Sequence, residues 1–484
     1  MCDFNRIDSV FGVGEIPESF SSVKELLECL MAEGNIRQAE AIRAIFETND
    51  NLVISGVPGS GKLTFIRRVA SLMENAVVVT YTGTHAVENG GTTFASMFGV
   101  KIDKYIPSVR NGILENTSKK SVTSEYLEVV RSMKTLIVDF AQDTSPDMID
   151  YIADVFRRTR ESKEPFGGVR IILVGDFCYL PVLFGKNNPS YGYYGDRYFF
   201  ASKALRATGY KFIHFDKSYT IKDENLLSIL NNIRCGSLSS HDVDVLNDRV
   251  GRKLSVGNRC IAVFNSEEDA DGFNASYIDK IDGKLYSSVI DDTSYVSKHP
   301  VYVEKFYFKI GQYVIFTDNG VNYRKGDAGV ITDVVLNKYG NAEEILVQMD
   351  NRSDSSILVS VKKKAWNRYS YFAKDGVIEK KIKDSVFQFP VLHGYAISTY
   401  KTRGLSLNCI CPFMNSLFRD GLPYASISRA KSLDSLHLIN PVNAKMFLMN
   451  GQFDQFFKGM LPGINTVLPS YINHVSREDS GAFH

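Results

Sequence analysis

The chain carries almost no net charge: 56 basic side chains against 55 acidic ones leave +1 over 484 residues. A global field that would draw it to a polyanion is therefore excluded, and any contact with nucleic acid has to come from local patches. Cysteine is scarce: there are seven, an odd number, with no Cys-x-x-Cys pair and no histidine at metal-ligand spacing. That points away from a disulfide framework or a zinc site and toward a reducing compartment. No apolar run reaches membrane-spanning length, and the first thirty residues lack the basic stretch and apolar core of a secretory leader. The expectation is a soluble, intracellular protein without membrane contact. Internal repeats and low-complexity tracts are also missing. The length is too great for one hydrophobic core and suits about three subdomains.

What is present begins with Gly56-Val57-Pro58-Gly59-Ser60-Gly61-Lys62-Leu63-Thr64. It follows the apolar run Asn51–Ser55 and opens a helical pattern, so it reads as a phosphate-binding loop between a strand and a helix. Such a loop cradles phosphates with backbone N–H groups, sets its Lys on the β/γ-phosphates, and uses the next residue, Ser or Thr, as a Mg²⁺ ligand. Here that next residue is Leu63, a hydrocarbon. Thr64 is one position along the helix, which turns its side chain by about 100°.

Short, nearly continuous apolar runs follow at Ala76–Thr80, Thr135–Asp139 and Val169–Val174. They mark strands of a parallel sheet buried on both faces, and helical patterns separate them. From about 300 to 385 the pattern changes to alternating strands broken by Gly and Asp, which predicts a small β-barrel with Gly326 and Gly329 in its turns. The α/β pattern resumes at Val391, and Cys409-Ile410-Cys411 alternates like a strand. Two further strand ends carry an Asp. Asp139 stands where such enzymes hold Mg²⁺, but the residue after it, Phe140, can accept no proton. Asp176 closes Val174-Gly175-Asp176, with Tyr179 just beyond. Lys362-Lys363-Lys364 with Trp366, and Tyr191 to Tyr194 with Tyr198, are candidates for stacking and charge contacts to nucleic acid. The run Arg157-Arg158-Thr159-Arg160 reads as a solvated helix end.

The order and spacing of these features resemble the PIF branch of superfamily 1B DNA helicases, over roughly residues 30 to 445. Gln38, eighteen residues before Gly56, sits where that family's Q motif reads adenine. Val79–Gly83 and Gly90–Phe94 resemble motif Ia, Phe166–Val169 running into Gly175-Asp176 resembles motif III, and Ser228–Gly236 resembles the helix after motif IV. Gly394–Leu405 resembles motif V and Tyr424–Ala430 motif VI.

The resemblance implies an α/β fold of two RecA-like P-loop domains with an SH3-like β-barrel inserted in the second. The implied division is an N-terminal extension at 1–29, a first RecA-like domain at 30–215, a second at 216–299 and 386–450, the barrel at 300–385, and a C-terminal extension at 451–484. It implies ATP, with Mg²⁺ weakened by Leu63, held by Gln38, Gly56, Gly59, Ser60, Gly61, Lys62, Leu63, Thr64, Asp176, Gly404 and Arg429, with the metal on Asp139. Single-stranded DNA is the implied partner, near Thr82, Thr93, Lys401 and Arg403. Replication or repair proteins are further candidates, in the nucleus or another DNA-containing compartment.

The departures gather where ATP is turned over. Leu63 replaces the metal-binding hydroxyl, Phe140 the water-activating Glu, Tyr179 a phosphate-sensing Gln, and Thr220 an Arg that reaches the transferring phosphate. Tyr400 and Arg403 replace the His and Gln of motif V, and Ala95 replaces a His after motif Ia. Lys62, Asp139 and Arg429 are retained. A helicase homologue that binds without hydrolysing is therefore expected. An active helicase with a substituted site and a protein scaffold are the alternatives.

Overall fold

The computed structural model describes residues 20–99, 123–179, 193–252, 259–289, 305–350, 357–414 and 421–447. Leu180, Pro181, Tyr191, Gly192, the segment 451–484 and most of 1–29 lie outside them.

Six parallel strands form the first sheet: β1 (Leu52–Gly56), β2 (Ala76–Thr80), β3 (Thr92–Thr93), β4 (Thr135–Asp139), β5 (Arg170–Gly175) and β6 (Lys211–Phe215), in the order β3-β2-β4-β5-β1-β6. Its central strands are buried almost throughout, because helices cover both faces and leave no side for polar residues. The helix Lys62–Leu72 lays Phe65, Ile66 and Val69 on one face. On the other, Pro146–Thr159 buries Met148, Ile149, Ile152, Ala153 and Phe156. The helix Val23–Ala32 is part of this unit, with Leu26 and Leu30 packed beside Ile42 and Ile45. The expected boundary at residue 29 falls inside that helix.

A second parallel sheet has three strands, in the order β17-β7-β18: β7 (Ile261–Phe264), then, far along the chain, β17 (Ala396–Ser398) and β18 (Ile410–Pro412). Between them the chain builds antiparallel structure. A pair, β8 (Tyr286–Val289) with β9 (Lys305–Phe308), precedes β10 (Tyr313–Phe316), β11 (Ala328–Leu336), β12 (Ala342–Met349) and β13 (Leu358–Lys362). These last four form a five-stranded sheet with β16 (Val391–His393), in the order β13-β12-β11-β10-β16. Phe316 pairs with Val391, so the antiparallel module continues past residue 385. Gly326 has φ +90° in the turn before β11. Gly329 departs from expectation: it lies inside β11, where a Cβ would stand 2.4 Å from the Gln348 carbonyl oxygen. Close strand approach, not a turn, requires that glycine.

The strands β14 (Lys364–Lys374) and β15 (Val377–Gln388) leave this sheet and pair only with each other. Their ribbon reaches the first domain. The Tyr371 hydroxyl accepts from the Val78 amide of β2 at 3.1 Å. At the tip, Asn75 donates to the Gly376 carbonyl and accepts from the Ile378 amide, at 2.8 and 2.9 Å.

Candidate functional site

Between the ends of β1, β4 and β5 on one side and the segments 399–404 and 422–429 on the other lies a cleft lined by most of the expected residues. Gly59 and Gly61, at φ +71° and +77°, give the loop its left-handed bends, and Gly61 caps the helix that begins at Lys62. The Lys62 ammonium folds back on the loop, donating to the carbonyls of Gly56 and Val57 at 3.0 Å each and to Ser60 Oγ at 3.3 Å. Burial, with Arg234 and Arg429 nearby and Asp176 opposing, brings its pKa down to about 8. Gln38 sits at the start of the helix Ile36–Glu47, and its Nε2 donates to the Ser60 carbonyl at 2.8 Å. It braces the loop from behind. Leu63 and Thr64 are both half-buried.

Thr220 is folded directly onto the loop. Tyr219 donates its amide to the Gly59 carbonyl at 2.9 Å, and Ser218 Oγ donates to the Pro58 carbonyl at 2.8 Å. A Cβ on Gly59 would stand 1.9 Å from Thr220 Oγ1.

Asp139 accepts from Asn89 Nδ2 at 3.1 Å and from the Phe140 amide at 2.8 Å. Burial raises its pKa to about 6 despite those bonds. Phe140 is held at φ +53° and stacks on His85, ring centroids 3.6 Å apart. A left-handed Phe is disfavoured by about 1–2 kcal/mol, so the ring contact is what fixes it there. Burial, with Arg403 and Lys325 nearby, keeps His85 neutral by holding its pKa well below the ordinary range.

The two sides of the cleft touch directly. Tyr179 is buried and donates to the Thr399 carbonyl at 3.0 Å. Arg403 forms a buried ion pair with Asp143, one of its bonds at 3.1 Å. Its guanidinium also lies over the rings of Tyr179 and Phe140, at 5.4 and 5.7 Å. The carboxylate of Asp143 thus already partners Arg403, which the resemblance placed near single-stranded DNA. Arg429 stacks 5.1 Å above Tyr179 and donates to Ser428 Oγ at 2.9 Å.

Asp176 joins a third cross-link: it accepts from the Tyr424 hydroxyl at 2.8 Å and pairs with Arg234 at 3.3 Å. Arg234, 1% exposed, reaches on to the Gly56 carbonyl and Ser55 Oγ at 3.1 and 3.2 Å. Sequence reading assigned Arg234 no role, nor His85, Asn89 or Asp143. The available signal was an arginine on the apolar-patterned helix Glu224–Arg234, where burial demands a partner.

Of the residues expected near nucleic acid, Thr82 caps a helix and bonds His85 Nδ1 at 2.7 Å, Thr93 is buried and donates to Ser96 Oγ at 2.9 Å, and Lys401 pairs with Glu267 at 3.2 Å. Gly404, at φ +72°, faces Lys325, which pairs with Glu88 at 2.7 Å. Trp366 is buried and cannot serve as a stacking platform. Tyr194 donates to Asp150 at 2.9 Å, and Tyr198 is buried.

The sequence model of a family described as PIF1-like helicase matches residues 34–191. An ATP-dependent DNA helicase Pif1 from Bdellovibrio bacteriovorus is 26% identical over 432 residues, covering 87% of this chain and 91% of that protein. The crystal structure of Bacteroides Pif1 in complex with ADP-AlF4 superposes with a TM-score of 0.78 at 25% identity, over 87% of this chain and 96% of that one. The chain is similar to the PIF1-like helicases in sequence and in fold. Bacteroides Pif1 bound to single-stranded DNA superposes with a TM-score of 0.59 at 25% identity, over 91% and 97%. The chain spans about 60% of the length of the vertebrate family members it matches. Of the departing residues, Phe140 and Tyr179 lie under the Arg403 guanidinium, Thr220 sits against Gly59 of the phosphate loop, and Leu63 follows Lys62 in that loop.

Proposed function

We propose that this PIF1-like protein binds a nucleotide in the cleft and single-stranded DNA across its two RecA-like domains, with ATP hydrolysis lost or severely impaired. The observation that carries the reading is the direct closure of the cleft by Tyr179 on Thr399 and by Arg403 on Asp143. Side chains that contact the opposite domain stand where the family resemblance calls for a phosphate sensor and its coupling partner.

A triphosphate fits the residues present. The left-handed glycines leave the loop free of side chains, and Lys62 can exchange three weak loop contacts for phosphate oxygens. Magnesium fits poorly: Leu63 offers no oxygen, and both Asp139 oxygens already accept hydrogen bonds. Lys62 and Arg429 would bind and orient the phosphates. Phe140 neither takes a proton from water nor orients it, and Thr220 brings no charge to the transferring group. One arginine at such a position is worth about 10³–10⁵ in rate. We further propose the expected domain division with two changes, the first domain starting with the helix Val23–Ala32 and the inserted module, SH3-like in kind, extending to β16.

The test is hydrolysis of ATP by the intact chain with and without a thirty-nucleotide oligomer, alongside binding of a fluorescent ATP analogue. Analogue binding that Lys62→Ala weakens, with turnover at background, is the expected result. DNA-stimulated hydrolysis abolished by Lys62→Ala would overturn it and make the chain a working helicase.

A further inference from the structure

The second parallel sheet carries a cluster of soft ligands that plays no part in the cleft. Register explains how it forms. Cys409, just before β18, and Cys411 within it point to one face, because side chains alternate along an extended chain. Ile410 pairs in parallel with Ile261 of β7 on one side and with Leu436 on the other. Cys260 is therefore the neighbour of Cys409, and His437 the neighbour of Cys411, on that same face. Backbone bonds fix the spacing: Ile261 N to the Cys409 carbonyl at 3.0 Å, and His437 N to the Ile410 carbonyl at 2.9 Å.

The ligand atoms of Cys260, Cys409 and His437 all lie within 4.8 Å of one another. The three cysteines are free thiols. The imidazole Nδ1 of His437 is buried with no hydrogen-bond partner among the described residues, an arrangement that is unfavourable unless something else satisfies it.

We propose that Cys260, Cys409, Cys411 and His437 form a zinc site that clamps the three strands together. Cys260, Cys409 and His437 bring three ligand atoms together, and Cys411, beside Cys260 on the same face, can supply the fourth, a set of three sulfurs and one imidazole nitrogen that suits tetrahedral Zn²⁺. Thiolates also discriminate against magnesium and calcium, which prefer oxygen.

The Cys260 thiol lies within hydrogen-bonding reach of both Cys409 and Cys411. Cys260, Cys411 and His437 are half-buried and only Cys409 is fully enclosed, so an ion can enter from solvent. The site ties together segments distant in sequence, so its expected contribution is to the folding of the second domain.

The test is metal analysis of the intact chain purified without chelator, with zinc released by a mercurial thiol reagent and read with a metallochromic indicator. One zinc per chain is expected, falling at least fivefold in Cys409→Ser. Replacement by Co²⁺ should give the thiolate charge-transfer absorption and intense visible bands of a tetrahedral site, with the charge-transfer band weakened in Cys411→Ser. Because Cys409 is buried in the second domain and its replacement also perturbs packing, the cobalt spectrum of the unmodified chain is the independent check. Zinc-free protein whose thiols all react freely, a Cys260–Cys409 disulfide found by non-reducing peptide mapping, or a cobalt spectrum indifferent to Cys411→Ser would each overturn the proposal.

Discussion

At the scale of single residues, the cleft shows how one substitution recruits another. Arg403 is tolerable where it is because Asp143 faces it and three aromatic rings surround it. Removing one member of a buried pair leaves the other charge without compensation. Arg403→Gln should therefore destabilise the chain by about 3–5 kcal/mol, and the Asp143→Asn/Arg403→Gln double variant by clearly less. Urea unfolding of the three variants measures the difference. Asp139 gives a prediction in pH. Its folded pKa is raised from 3.8 to about 6 by burial, so the fold favours the neutral acid, and that advantage is complete below about pH 4 and lost as pH rises through about 6. Asp139→Asn, which cannot ionise, should gain on the unmodified chain over that window by on the order of 3 kcal/mol, on top of a constant offset from its altered hydrogen bonds. Unfolding midpoints between pH 4.5 and 8 would show the slope, and parallel pH curves for the two proteins would refute it.

Among the elements, the ribbon β14–β15 is the one whose position the sequence could not show. Its alternating pattern is the same whether it joins the five-stranded sheet or leaves it, because period-two alternation reports one covered face and not what covers it. The structure covers that face with the first domain, through Tyr371, Ala373 and Ile378. Tyr371→Phe keeps the ring and removes the oxygen that accepts from Val78, leaving a buried amide unpaired at about 1–3 kcal/mol. Combined with Asn75→Ala, it should loosen the ribbon and speed amide exchange at Val78 and Ile378 while leaving the five-stranded sheet protected. Exchange that rises equally across β10 to β12 would mean that the ribbon and sheet form one cooperative unit.

For the whole molecule, the substitutions act together because they meet in one cleft. Restoring Leu63→Ser, Phe140→Glu, Tyr179→Gln and Thr220→Arg in one chain should recover more ATP turnover than any single change, since groups that act as a unit are strongly non-additive. Steady-state hydrolysis of the four single variants and the quadruple variant is the measurement, with equal background rates in all five as the adverse result. Arg403 stays in place in that design. If the Arg403–Asp143 pair still locks the domains, adding Arg403→Gln should raise the rate further. The overall arrangement matches Bacteroides Pif1 with ADP-AlF4 and without ligand equally well, and the same protein on single-stranded DNA less closely.

The amino-acid sequence by itself determined the parallel core, the phosphate loop and the positions of the departures. Buried strands, glycine-dependent turns and motif order are local properties, readable within a dozen residues. Tertiary structure decided what each departing residue does. Phe140 stacks on His85, Tyr179 reaches Thr399 and Arg403 finds Asp143, in each case through a partner that no local pattern ties to it. The cysteines make the point most plainly. Their spacing spoke against a metal site, yet parallel pairing of β7, β18 and the strand through Leu436 sets Cys260, Cys409, Cys411 and His437 on one face. Ligand geometry is a matter of distance in space, and only strand register converts residues 260, 409 and 437 into neighbours.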